Sequence, residues 1–166
     1  MAADSNRGVA YVKPGHAGVQ KINFPTVALN KRQEDLEGPS AQTDLAQGLP
    51  LINCDRVQFE QVILNLILNA IEAMSGVDGG TRELLISTRE AEPNGVLVGV
   101  RDSGPGLAPT ILGRVFDAFY TAKSGGLGMG LSICRSIVEA HGGRLWATGH
   151  TLRGALFQFT IPARPT

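Results

Sequence analysis

From Asp55 onward, Val57, Phe59, Val62, Ile63, Leu64, Leu66, Ile67, Leu68, Ala70, Ile71, Ala73 and Met74 are apolar nearly all round a helical wheel, the mark of a buried helix. Asp55 can cap it, with Gln58 three residues on as reciprocal partner, so the helix is predicted to run to about residue 75 and stop near Gly76. Within it, Gln58, Gln61, Asn65, Asn69 and Glu72 recur at three- and four-residue steps and form one polar stripe. Beyond a Gly79-Gly80 turn, strand patterns at 83–88 and 96–100 flank Pro93-Asn94-Gly95 and predict a hairpin. A Gly/Pro loop over 102–109 then leads to a short helix near 110–116. Residues 120–128 read as flexible, and 128–141 as a second long helix ended by Gly142-Gly143. Strands follow at 144–148 and 155–161, joined by a turn near Arg153-Gly154. The first 50 residues carry a weaker pattern: 22–29 fits strand or helix, 43–46 a short edge strand, and Lys31 to Asp35 a solvated helix end or loop. Helices mixed with hairpin-linked strands favour an α+β sandwich over a doubly wound parallel sheet.

Bulk properties narrow the function classes. A chain of 166 residues fits one domain able to enclose a core, and 43% hydrophobic with 18% charged residues reads as globular and soluble. The formal net charge is zero with no block of like charge, so neither nucleic acid nor an anionic membrane is expected as a bulk partner. Asn65 and Asn69 interrupt the longest apolar run, leaving it too short and polar to span a bilayer. The N-terminus has no apolar signal-peptide core, and a cytoplasmic location is expected. Cys54 and Cys134 lie far apart without metal-ligand spacing and read as buried or half-buried thiols.

Three pieces carry possible chemistry. The Asn stripe either bonds a neighbouring loop or floors a polar cavity, where amide oxygens would suit a hard cation such as Mg²⁺. Asp102-Ser103-Gly104-Pro105-Gly106 follows a strand; it is either an ordinary turn or a tight backbone approach in which Asp102 accepts a hydrogen bond from an adenine amino group. Residues 124–131, Ser-Gly-Gly-Leu-Gly-Met-Gly-Leu, lead into the second helix, where free N–H groups bind phosphate; Lys123 lies just upstream. They match neither the Walker pattern nor the dinucleotide fingerprint, and a generic Gly-rich loop is the alternative.

The order of the pieces is more specific than any one of them. Over residues 49–163 the chain resembles the histidine-kinase branch of the family that includes DNA gyrase B, Hsp90 and MutL. Residues 60–74 look like its N box, 102–107 its first glycine box, 116–123 its F box and 126–131 its second glycine box. The Asn69-Ala70-Ile71-Glu72-Ala73-Met74 ending and Lys123 are closest to the oxygen- and nitrogen-sensing kinases.

The resemblance implies a Bergerat fold, a two-layer sandwich of a mixed sheet on three helices with a mobile ATP lid. Residues 49–166 would form the ATP-binding catalytic domain, and 1–48, poorly matched, would partly contribute to the sandwich. By the family's pattern, Asn69 and Asn65 would bind Mg²⁺ and help hold phosphates. Asp102 would take the adenine amino group, and Gly104 and Gly106 would shape its pocket. Lys123, Gly126, Gly128, Gly130 and Leu131 would meet the phosphates, and Phe116 and Phe119 would anchor the lid. Asn65, Asn69 and Lys123 would be the catalytic residues. Besides ATP, the implied partners are a histidine-bearing dimerisation domain and, indirectly, a response regulator.

Two departures shape the expected activity. His16, His141 and His150 are the only histidines, and none sits in the family's phosphoacceptor motif, so the acceptor is expected elsewhere; His141 reads as a structural residue ending its helix. The ATPase relatives place a Glu general base four residues before the metal Asn; Asn65 occupies that position, which argues against hydrolysis and against a sigma-factor-inhibiting serine kinase. A nucleotide-sensing interaction module, or an ATPase of this family without histidine phosphotransfer, is the alternative.

Overall fold

The computed structural model describes residues 9–12, 19–22, 40–76, 80, 82–120, 130–149 and 153–165. Two short strands, β1 (Val9–Val12) and β2 (Val19–Ile22), come first. They are followed by β3 (Ser40–Leu45), β4 (Ile52–Asn53) and helix α1 (Arg56–Ser75). The hairpin strands β5 (Glu83–Ala91) and β6 (Gly95–Asp102) lead to the one-turn helix α2 (Pro109–Leu112), then α3 (Gly130–Ala140), β7 (Arg144–Gly149) and β8 (Ala155–Pro162).

The main sheet has the order β3-β5-β6-β8-β7. Only β3 runs parallel to its neighbour β5; the other pairs are antiparallel, so the sheet is mixed. The expected edge strand at 43–46 is the six-residue β3, and Arg89 on β5 pairs with its Asp44. A smaller sheet, β2-β1-β4, sits beside it, joined through a bridge between Ile52 and Ala163. Strand β2 ends at Ile22, and residues 23–30 lie outside the described segments.

One face of the sheet is apolar by simple alternation. On β8, Ala155, Phe157, Phe159 and Ile161 are buried while Leu156, Gln158 and Thr160 are half-exposed. Helices α1 and α3 lie on that face, α1 over β6 and α3 over β7 and β8, and pack against each other. Helix α1 buries Phe59, Val62, Ile63, Leu66, Ile67, Ala70 and Met74, the i, i+3, i+4 spacing of a single face. Phe59 meets Phe159 edge-on at 5.5 Å between ring centres. Each such fully buried side chain contributes roughly 1.5–3 kcal/mol relative to exposure.

Four expectations need correction. Helix α1 is not buried all round: Val57 is 72% exposed and Leu64 and Leu68 are each 39% exposed, because the sheet covers one face only. The capping box is half formed. Asp55 accepts from the Gln58 amide at 3.0 Å, but its own N–H goes to His141 instead of the Gln58 side chain. The helix predicted at 110–116 stops at Leu112. Successive turns follow, with Arg114, Asp117 and Tyr120 amides bonding carbonyls three residues back, while Phe116 packs edge-on against Phe157 at 6.0 Å. Finally, β5 extends past the predicted end at 88 to Ala91, because its antiparallel register with β6 holds to Ala91↔Gly95. Of residues 120–128, where the flexible lid was expected, all but Tyr120 lie outside the described residues, as do Gly79, His16 and His150. No helix among the described residues is long and apolar enough to cross a membrane.

Candidate nucleotide site

Asp102 ends β6 and is 3% exposed. Its Oδ1 accepts hydrogen bonds from the amides of Gly104 at 2.8 Å and Ala155 at 3.3 Å. Both bonds use Oδ1 and neither uses Oδ2. Burial pushes the carboxyl above its ordinary range, and the two backbone amides pull it back only in part.

The loop after Asp102 is held on three sides. The Gly154 amide donates to the Gly104 carbonyl at 2.7 Å, and the Glu83 amide to Ser103 Oγ at 2.8 Å. Gly104 sits where a side-chain carbon would lie 3.1 Å from the Ala73 carbonyl and 3.0 Å from Asp102 Oδ1. Gly106 has φ +84° and would meet the Gly154 carbonyl at 2.9 Å, so both its conformation and its surroundings exclude a side chain. The loop therefore lies against the last turns of α1, at Ala73.

Ala73 belongs to the row Asn65, Asn69, Ala73, which steps along α1 by about 6 Å per four residues. Asn65 and Asn69 are both half-buried, whereas Gln58, Gln61 and Glu72 at the margins of the stripe are exposed. The stripe therefore divides, and only its centre is enclosed. Near Asn65 runs α3: the Cys134 thiol donates to the Val62 carbonyl at 3.8 Å, and Asn65 is close enough to hydrogen-bond that thiol. Burial nevertheless raises the Cys134 thiol to about 11, the Asn65 contact pulling the other way. Burial likewise raises Cys54 to about 12, with Asp55 adding to the shift.

The predicted residues thus form a line on α1 and two flanks. Asp102, Gly104 and Gly106 lie at its Ala73 end. Gly130 and Leu131 open α3. Phe119 is 73% exposed with φ +64°, a left-handed backbone rare for a bulky residue. Lys123, Gly126 and Gly128 lie outside the described residues. Sequence reasoning did not mark Ala73 or Ala155, which act through backbone groups. Only the position of Ala73 one step beyond Asn69 was a usable signal. A cleft of about 340 Å³ also reaches Asp102, between Gln42, Glu83, Leu85, Arg101, Ser103 and Arg153. Asn65 and Asn69 do not line it, so it is separate from the α1 row.

Among the described residues no three His, Cys, Asp or Glu side chains cluster as a metal cage. The donor set suits a Mg²⁺ ion that arrives with phosphates and takes one or two protein oxygens, as amide oxygens of Asn65 and Asn69 would supply.

Comparison with known proteins identifies the family and the fold. Residues 54–165 match the family described as histidine kinase-, DNA gyrase B-, and HSP90-like ATPase. Sensor protein FixL of Bradyrhizobium diazoefficiens is 44% identical over 119 residues, 72% of this chain but 23% of that protein. The chain thus spans under a quarter of that curated relative. The nucleotide-free catalytic domain of histidine kinase ThkA superposes with TM-score 0.68 at 32% identity, covering 82% of this chain and 86% of that one. Full-length ShkA in complex with AMPPNP gives TM-score 0.70 at 27% identity, over 84% of this chain and 28% of that one. With a mixed five-stranded sheet backed by helices and the first glycine box lying against the end of the N-box helix, the chain belongs to the histidine kinase-, DNA gyrase B- and HSP90-like ATPase family, as a catalytic ATPase domain of the sensor histidine kinase kind.

Proposed function

We propose that this domain binds Mg-ATP along the α1 row and transfers the γ-phosphoryl group to a histidine on a dimerisation domain, within a two-component pathway ending at a response regulator. The observation that carries the reading is Asp102, a buried carboxylate whose Oδ1 is occupied by two backbone amides while Oδ2 takes neither. An adenine amino group is the donor that oxygen suits. The ribose and phosphates would then follow the row from Ala73 past Asn69 to Asn65, and the opening of α3 would face the phosphates. The complex of ShkA with AMPPNP supports a nucleotide of this class. The working unit is residues 49–166, with 1–48 contributing; the pairing of β3 with β5 supports that contribution.

Phosphoryl transfer depends on position and charge more than on covalent work by the protein. Asn65 and Asn69 would orient the triphosphate, and Mg²⁺, when bound, supplies neutralisation of its charge. The α3 N-terminus and Lys123 would add positive potential. The acceptor imidazole nitrogen provides the electron pair for the new P–N bond, and the pair of the broken P–O bond leaves on ADP. Asn65 offers no carboxylate to activate water, so hydrolysis should not compete.

The test uses γ-labelled ATP with the chain alone and then with a purified dimerisation domain from a related kinase. Acid-labile label is expected on the added domain only. ATP binding with no transfer to any such domain would favour a nucleotide-sensing module, and rapid hydrolysis by the chain alone would favour an ATPase.

A further inference from the structure

The two helices that flank the proposed nucleotide path run antiparallel and are fastened at their far ends. The backbone amide of Asp55, the N-cap of α1, donates to His141 Nε2 at 3.1 Å. On the other side of the ring, Nδ1 lies 2.7 Å from the Ile137 carbonyl, within α3's own last turn. An amide can only donate and a carbonyl can only accept, so the ring proton sits on Nδ1 and Nε2 offers its lone pair. The ring is thus fixed to α3 through one nitrogen and to α1 through the other. His141 directly follows the last residue of α3, and the chain turns there, with Gly142 and Gly143 amides bonding the Glu139 and Val138 carbonyls, each at 2.9 Å.

The pairing continues inward in step. Seven residues on from Asp55 and seven back from His141 bring Val62 opposite Cys134, where the thiol meets the Val62 carbonyl. Three residues further, the same register sets Asn65 opposite Leu131, at the start of α3. Both links end on α1 backbone atoms, so they locate α3 along the axis of α1 whatever side chains α1 carries. A helix transmits an axial shift along its whole length, about 1.5 Å for each residue of slip. The position of the α3 N-terminus beside Asn65 therefore depends on the fastening at its C-terminus.

We infer that His141 is a positioning residue for nucleotide binding: by joining the end of α3 to the N-cap of α1, it sets the register that brings Gly130 and Leu131 level with Asn65. This rests on the reading above, in which Asp102 takes the adenine and the α3 opening takes phosphates. It separates the two halves of the site, because Asp102 stands at the end of β6 and its carboxylate is held by the amides of Gly104 and of Ala155 on β8, none of them on α3.

The test compares AMPPNP with adenosine on the full chain, by calorimetry, with thermal unfolding to verify folding. Wild type should bind AMPPNP more tightly. His141→Leu keeps bulk but lacks the acceptor; it should cut that preference about three- to tenfold, the worth of one hydrogen bond, with adenosine affinity unchanged. His141→Gln, which keeps an acceptor, should recover most of it. Asp55→Pro removes the amide donor at a φ of −78° that proline accepts, and should act like His141→Leu; Asp55→Ala, which keeps the amide, should not. Equal loss for both ligands, or no loss in either His141→Leu or Asp55→Pro, overturns the inference, and the proline variant decides if the leucine variant does not fold. A wild type without preference for AMPPNP overturns the phosphate reading itself, a different failure.

Discussion

Asp102 meets two demands that oppose each other. Binding adenine, as proposed, would require an acceptor at the bottom of a dry pocket, and dryness makes the charged acceptor costly. The result is a carboxyl held above its ordinary range by burial against the partial relief of two amides. A raised folded value means that the group favours the folded state most below its unfolded value near 3.8 and loses that contribution as pH rises through the folded value. Asp102→Asn keeps an oxygen for the Gly104 and Ala155 amides without the charge. It should raise the empty domain's melting temperature at pH 7, and the gain should vanish as the pH falls below 3.8, as a pH series of calorimetric scans would record. Asp102→Ala removes the acceptor and should weaken ATP by roughly 1.5–3 kcal/mol, about ten- to a hundredfold, in a titration with a fluorescent analogue. Equal affinity would move adenine elsewhere. The thiols make a simpler prediction. With Cys54 raised to about 12 and Cys134 to about 11, both fully buried, neither should react with a thiol reagent at pH 8 until denaturant is added.

At the scale of elements, α1 serves the core and, in the proposed reading, the site. Its buried face packs on the sheet, its Asn row would border the nucleotide path, and its N-cap receives α3. The cap can be tested apart from the register. Asp55→Ala removes the carboxylate that accepts from Gln58 but keeps the amide that reaches His141, and should cost about 1 kcal/mol of unfolding free energy. Much of α1 was legible in the sequence, because a cap, a period and a stop are local signals. The exposure of Leu64 and Leu68 was not legible, since a wheel apolar on most sides does not say which side the sheet covers. The early end of α2 was hidden for a related reason. Phe116 leaves the helical path to reach Phe157, a partner more than forty positions away.

For the whole molecule, Phe159 joins the central sheet to α1 through Phe59. Phe159→Ala should cost about 3–5 kcal/mol in chemical denaturation, a large share of the roughly 5–15 kcal/mol typical of a domain. Phe159 meets α1 at Phe59, six residues before Asn65, so the affinity of the molecules that remain folded should be little changed. In the proposed reading, function at this scale follows from what the chain holds and what a partner would bring. In the phosphotransfer assay, Asn69→Ala should abolish label on the added domain, and His16, His141 and His150 should stay unlabelled. Label on any of the three would overturn the claim that the acceptor lies outside these residues.

The sequence by itself determined which chemistry is present and in what order. The N box, glycine boxes and F box are contiguous strings whose residue types follow from local demands, such as a φ of +84° at Gly106 or an amide row on one helical face. Three-dimensional packing decided how those strings meet. That the Asn65 row ends against Gly104, that Ala155 supplies an amide to Asp102, and that His141 holds the Asp55 amide are contacts between residues 31, 53 and 86 positions apart. Their cause is the antiparallel pairing of β6 with β8, the packing of α1 on β6 and the docking of α3 along α1. Each depends on geometry summed over many residues: the four-residue step from Asn69 puts Ala73 on the row, but nothing local says that Gly104 meets it, or that Ala155 and His141 reach Asp102 and Asp55.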